Sequence, residues 1–396
     1  MARKALHSLA ACAALLPCLA GSAARALSFG LGSGAARAAK TVVDKAAQSP
    51  QSCGRQVTGL SGAVTLTASP MNPANVLFVQ SLGNLQPPGH TFPSDHIYFY
   101  YIDPGSLDPD KWNVSYPVYA VADAFIDRIT YSPPNDYKVE FVETDTFSSY
   151  FDHVITLDAS ILARAGALVA GSNCEWLPVK AGQLIGVVGG APGQLALDVG
   201  VVNLATTLPY INPSHYGFYG HSDAPLKYYA DPLRTALYGL VNRLTPDYLG
   251  SNQKDGIICY DVPGSVSGNW VAEGSDGDFG NPDSWTQQLA FVYDPVYSAQ
   301  IRISFGGMYG GQAYGQLGDW AVQAGAAAPA SVTVAGGPYG YQIWGWDPNN
   351  GNRTGVSPLG LLMVQAVDND TLHVEYFPGS AAASLPFDAG MKVYTR

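Results

Sequence analysis

His153 directly follows Asp152. An imidazole beside a carboxylate is a pair suited to proton transfer, because the carboxylate moves the histidine's charge change through neutral pH. A half-buried histidine with satisfied hydrogen bonds is the plainer alternative. His215 and His221 offer two more imidazoles, but a six-residue spacing fixes no geometry in a loop. Between Gly274 and Ser284, Asp276, Asp278 and Asp283 crowd a turn-rich stretch. Oxygen ligands on such a loop suit calcium. The EF-hand order and its closing Glu are missing, so a solvated acidic loop is the preferred reading. Trp270, Trp285, Trp320, Trp344 and Trp346 offer faces for stacking sugars, although core packing explains them more simply. No G-x-S-x-G or H-E-x-x-H is present, and the glycines of 306–318 lack the order of a phosphate loop, so they read as a loop or hairpin.

The elements that must position these groups are short. Only 13% of the 396 residues are charged and 47% are hydrophobic, which excludes a disordered chain. Gly, Pro and Tyr are abundant (44, 28 and 24 residues), as expected of many short strands joined by tight turns. Strand-like runs begin at Val64, Val76, His96, Val118, Lys138, His153, Gln183 and Leu195. They resume at Ile257, Leu289, Gln300, Ser331, Tyr341, Leu361, Thr371 and Met391. Between them lies one helical stretch. Asp231 can cap it, Pro232 suits its first turn, and Leu233, Leu237, Leu240 and Leu244 share a face. The expectation is a mainly β protein: a β domain over 59–203, a connecting segment with a helix over 204–256, and a second β-rich domain over 257–396.

Residues 1–26 read as a secretory signal peptide. Arg3 and Lys4 precede an uncharged Ala- and Leu-rich run, and small residues stand ahead of Leu27. Residues 27–58 read as a flexible leader, and no other run is long and apolar enough to span a bilayer. A secreted or periplasmic location follows. Cys53, Cys174 and Cys259 would remain, so one pair can bridge in an oxidising compartment, with no basis for choosing which. The net charge of −11 argues against a nucleic-acid partner.

Five segments fall in a distinctive order: PGHTFPSDHIYF from Pro88, PVYAVADAFI from Pro117, FDHV from Phe151, VKAGQLIGVVGG from Val179, and ALDV from Ala196. Over residues 84–203 this order resembles the lysostaphin-type zinc endopeptidases, whose fold is a duplicated hybrid motif β-sandwich. The resemblance implies a zinc site and a role in cleaving cell-wall peptide. Its ligand candidates are His90, Asp95, His96 and Asp198, and His153 matches the family's catalytic Y-x-H histidine. Three ligands and an open position suit a catalytic zinc. The chain departs from the pattern in that Phe151 replaces the Tyr, while Ala196 and Asp198 replace both histidines of H-x-H. Strand alternation allows only one of Asp95 and His96 to face the site within regular strand, and His96 is preferred. Two functions follow: a zinc-dependent hydrolase of peptidoglycan or a related envelope polymer, or a non-catalytic member of the same fold that binds envelope glycan or protein.

Overall fold

The computed structural model describes residues 57–102, 113–190, 194–242, 254–275, 282–309, 312–313, 318–348 and 350–396. Among the described residues the first half has ten strands. These are β1 (Phe78–Gln80), β2 (His96–Tyr100), β3 (Ser115–Tyr119), β4 (Ala124–Ser132), β5 (Asp136–Thr144), β6 (Phe147–Val154), β7 (Thr156–Leu157), β8 (Gly171–Val179), β9 (Leu184–Gly189) and β10 (Ala196–Asn203). Seven of them form one sheet in the order β1-β2-β10-β6-β5-β4-β8, and β3-β9-β7 form a smaller one. The two sheets enclose a shared core. Ile97, Phe99, Ile126, Phe141, Phe151 and Val199 come from the large sheet, and Val118, Leu157, Ile185 and Val188 from the small one.

Alternation determines what each strand gives to that core. On β2, Ile97 and Phe99 face inward, leaving His96, Tyr98 and Tyr100 for the opposite face. On β10, Leu197, Val199 and Val201 do the same, leaving Ala196, Asp198 and Gly200. Gly200 pairs with His96, and Asp198 pairs with Tyr98 on one side and Asp152 on the other.

The second half closes on itself. Its strands are β11 (Gly268–Ala272), β12 (Gln288–Tyr293), β13 (Ile301–Phe305), β14 (Met308–Tyr309), β15 (Gln312–Ala313), β16 (Gly318–Val322), β17 (Tyr339–Asp347), β18 (Asn352–Thr354), β19 (Gly360–Ala366), β20 (Thr371–Pro378) and β21 (Lys392–Thr395). β14 and β15 make a small hairpin, in line with the reading of 306–318. The ladder runs β16-β13-β12-β11-β21-β20-β19-β17, and β17 pairs back onto β16 to close an eight-stranded antiparallel barrel. Trp270, Leu289, Phe291, Ile303, Trp320, Tyr341 and Tyr394 fill it, so Trp270 and Trp320 are core residues. Arg302 is also buried, paired with Asp294 and Asp319 and set 4.5 Å from the Trp346 ring. The guanidinium of Arg396 lies 4.0 Å from the Trp270 ring and donates to the carbonyls of Ser267, Val262 and Ser265.

Both halves belong to one compact unit, residues 48–396. Outward-facing Val271, Ala290 and Val292 of the barrel pack with Leu85, Phe92, Tyr210 and Tyr216. The loop carrying His90 is held here too, since Thr91 Oγ1 donates to the Trp285 carbonyl at 3.3 Å.

The connecting helix is shorter than its leucine spacing suggests. It runs Leu233–Tyr238, with Asp231 accepting from Thr235 Oγ1 at 2.9 Å. Beyond Gly239 the backbone pairs with the edge strand instead. Val79 N donates to Leu240 O, and Asn242 N donates to Val79 O. Leu244 lies outside the described residues. The runs at Ile257 and Ser331 are not strands, and Val64–Thr67 contributes only a bridge at Leu66. A helix at Ala159–Ala165 and strands β4, β8, β11 and β16 had no clear sequence signal. Cys174 is disulfide-bonded and Cys259 is free, while Cys53 lies outside the described residues.

Candidate functional site

The outward face of β2, β10 and β6 gathers a cluster of histidines and carboxylates. His96 opens β2, and its two ring nitrogens meet different carboxylates. Nδ1 lies 2.9 Å from Asp95 Oδ1, and Nε2 lies 3.3 Å from Asp198 Oδ2. The second contact lacks hydrogen-bond geometry, so His96 Nε2 is a buried nitrogen without a hydrogen bond. Tyr150 completes the Asp95 side: its hydroxyl donates to Asp95 Oδ2 at 3.1 Å and lies 3.2 Å from His96 Nδ1.

His153 reaches the same carboxylate from β6, with Nε2 3.6 Å from Asp198 Oδ2 and Nδ1 3.3 Å from Asp136 Oδ1. Asp152 already faces the site, so simple alternation would turn His153 away. Its backbone instead takes φ 66°, a region uncommon for a side chain other than glycine. Asp152 Oδ1 accepts the His153 N–H at 2.9 Å. His90, from the loop ahead of β2, sets its ring edge-on to His96 at 5.1 Å.

The electrostatics follow from this crowding. Burial opposes the charge on His96, but Asp198 and Asp95 outweigh it and raise its pKa to about 10. For His153, burial is overcome by Asp136, Asp198 and Asp152, and the pKa rises to about 9. His90 goes the other way, down to about 4, through burial and the neighbouring His96. Burial also raises the Asp152 carboxyl. On Asp95, burial is outweighed by the His96 hydrogen bond, and the carboxyl is lowered.

Of the sequence-derived candidates, His96, His153 and Asp198 therefore come together, with His90 against His96. Asp95 stands one residue ahead of β2 and binds the nitrogen of His96 that faces away from Asp198. Asp136 and Tyr150 were missed, while Asp152 was read only as a partner of His153. Among the described residues, Asp136, Asp152 and His153 have ligand atoms that all lie within 4.8 Å of one another. Asp152 had a signal in its adjacency to His153. Asp136 had none, because it arrives through the β4–β5 turn. His215 and His221 are engaged elsewhere, with Asn212 and the Thr206 carbonyl. Asp276 and Asp278 of the acidic loop lie outside the described residues. Beside the site, a pocket of about 300 Å³ is lined by Tyr150, Asp95, Lys138, Arg128, Phe218 and Tyr219, among others.

No family description and no curated protein matches the chain. Solved structures match loosely. The SpoIIQ–SpoIIIAH pore-forming complex aligns at TM-score 0.27 and 13% identity, over 44% of this chain and 96% of that one. A zinc-containing peptidase from Vibrio cholerae aligns at 0.23 and 14%, over 35% and 37%. Lysostaphin of Staphylococcus simulans aligns at 0.19 and 14%, over 74% and 84%. The last two are peptidases by description, and similarity this low assigns nothing to this chain.

Proposed function

We propose that the first half is a lysostaphin-type, duplicated-hybrid-motif domain of a secreted or periplasmic protein. In this reading it holds a divalent cation, zinc by its donors, at His90, His96 and Asp198, whose ligand atoms stand farther apart than those of Asp136, Asp152 and His153 and must draw together around the ion, and cleaves peptide bonds in an envelope polymer such as peptidoglycan. The observation that carries it is the divided imidazole of His96. Asp95 occupies Nδ1, so Nε2 is aimed, buried and without a hydrogen bond, at Asp198. A histidine that ligates a metal commonly gives its other nitrogen to a carboxylate in just this way. Two imidazoles and a carboxylate are a donor set suited to zinc. Asp95 is then an orienting group rather than a ligand.

Bound zinc supplies an acidified water and polarises a carbonyl. The chain's own residues do the rest. Asp95 and Tyr150 fix the His96 ring. Asp136 holds His153 by Nδ1, so that Nε2 faces the site, where it handles the proton of the attacking water. His96 and Asp198 are buried at the closed end of the site, while His153 stays half-exposed at its mouth. Ala196 stands on the Asp198 face of β10, where the resemblance places a second histidine, so one donor to the developing oxyanion is missing and slow turnover follows. That same gap favours the second reading, a binding domain without hydrolysis. Elemental analysis of the purified protein and its His96→Ala variant tests the site, and release of amines from cell-wall fragments separates the two readings. About one zinc per chain, lost in the variant, supports the proposal. A zinc-free protein that takes up none on dialysis refutes it.

A further inference from the structure

Tyr150 is a residue that the spacing of motifs does not point to, yet three independent features converge on it. Its hydroxyl stands at the junction of Asp95 Oδ2 and His96 Nδ1, at 3.1 and 3.2 Å. Its ring lies over Gly200, where an added Cβ would come 2.1 Å from both Cε1 and Cζ. No side chain fits there unless the ring moves. Lys138 Nζ lies 4.1 Å from the ring centroid, a cation–π contact that holds the ring further.

Asp95 needs such support. It precedes the first residue of β2, so the sheet ladder does not fix its side chain. One of its oxygens takes the His96 N–H and the other takes the Tyr150 hydroxyl. With the hydroxyl gone, the carboxylate is free to turn and the His96 ring loses its reference. We propose that Tyr150 is a positioning residue, acting through Asp95 to aim His96 Nε2 at Asp198, and that Gly200 is bare so that the Tyr150 ring can lie across β10. The ring also lines the 300 Å³ pocket, so the pocket wall and His96 share one side chain.

The inference rests on the metal reading for one of its two measurements only. In the first, zinc affinity is measured against a chromophoric chelator for wild type, Tyr150→Phe, Gly200→Ala, Asp95→Asn and the Asp95→Asn/Tyr150→Phe pair. Tyr150→Phe and Gly200→Ala should each weaken binding about tenfold. The double variant should be no weaker than Asp95→Asn alone, because Tyr150 acts through Asp95. Losses that simply add, or a Tyr150→Phe protein that binds like wild type, would overturn the proposal. In the second, the ¹⁵N shift of His96 Nδ1 is read in metal-free protein. It should move in Tyr150→Phe and in Gly200→Ala, and stay put in Phe218→Ala at the pocket rim. An unmoved shift in Tyr150→Phe also overturns it. If the wild type takes up no zinc, the function proposal fails and this second measurement still decides the role of Tyr150.

Discussion

Asp198→Asn is the most informative single change, because it removes charge at the point where two imidazoles converge while keeping the shape. At 3.3 Å and an effective dielectric of about 20, the attraction between Asp198 and a charged His96 is roughly 5 kcal/mol. The more exposed His153, at 3.6 Å, adds less after solvent screening. Desolvation offsets part of this, and losing one partner of a buried pair costs about 3–5 kcal/mol. The sign of the pH dependence follows from the raised pKa of His96, about 10 against an ordinary 6.5. A histidine raised on folding adds stability that is fully present below pH 6.5 and is lost as pH climbs through 10. Metal-free wild type should therefore exceed Asp198→Asn most clearly near pH 6, and the gap should close toward pH 10. Urea unfolding of chelator-treated protein at pH 6, 8 and 10 measures it. Equal stability at pH 6, or a gap that widens with pH, would refute the electrostatic account.

Zinc added to the chelated wild type should raise its unfolding midpoint by mass action, and should not raise that of His96→Ala; thermal melts at several zinc concentrations show this. Ala196→His puts an imidazole on the Asp198 face of β10 and should increase peptide-bond hydrolysis about 100-fold, measured as amine release from cell-wall fragments. In the barrel, Arg302→Met leaves Asp294 and Asp319 without their cation and should cost about 3–5 kcal/mol in urea. Replacing both carboxylates by Asn in the same protein should recover much of that loss.

Much of the site was legible because its residues sit in strands with ordinary alternation. His96 on β2 and Asp198 on β10 face the same way for the reason that Ile97 and Leu197 face the core, and a pattern of period two is visible in sequence. His153 is different, since it reaches the site through a left-handed backbone that no periodicity announces. Asp136 and Tyr150 are brought in by strand pairing, which depends on turns and register rather than on nearby residues. The same limit applies to the second half. Its β-rich character was clear from Leu289, Tyr341, Leu361 and Thr371, but closure depends on β16 meeting β17, and β16 is a five-residue strand with a glycine at its head. The helix was overextended because Leu240 fits a helical stripe equally well when it is buried as a partner of β1.

The β16–β17 ladder gives the two halves different ways to come apart. The seven-stranded sheet ends at β1 and β8, where the outer side of β1 meets only the short Leu240–Asn242 segment and β8 carries the disulfide-bonded Cys174, so neither border strand has a full ladder on both sides. In the ring, every one of the eight barrel strands is held on both sides, so releasing any of them breaks two ladders together. Amide hydrogens of β12, β13, β19 and β20 should therefore exchange as a block at the slowest rate in the molecule, while β1 and β8 open earlier. The loop bearing His90 is gripped between these regimes, with Thr91 tied to the slow half. A ligand candidate at the border of a fraying sheet is thus anchored to the part of the chain that opens last.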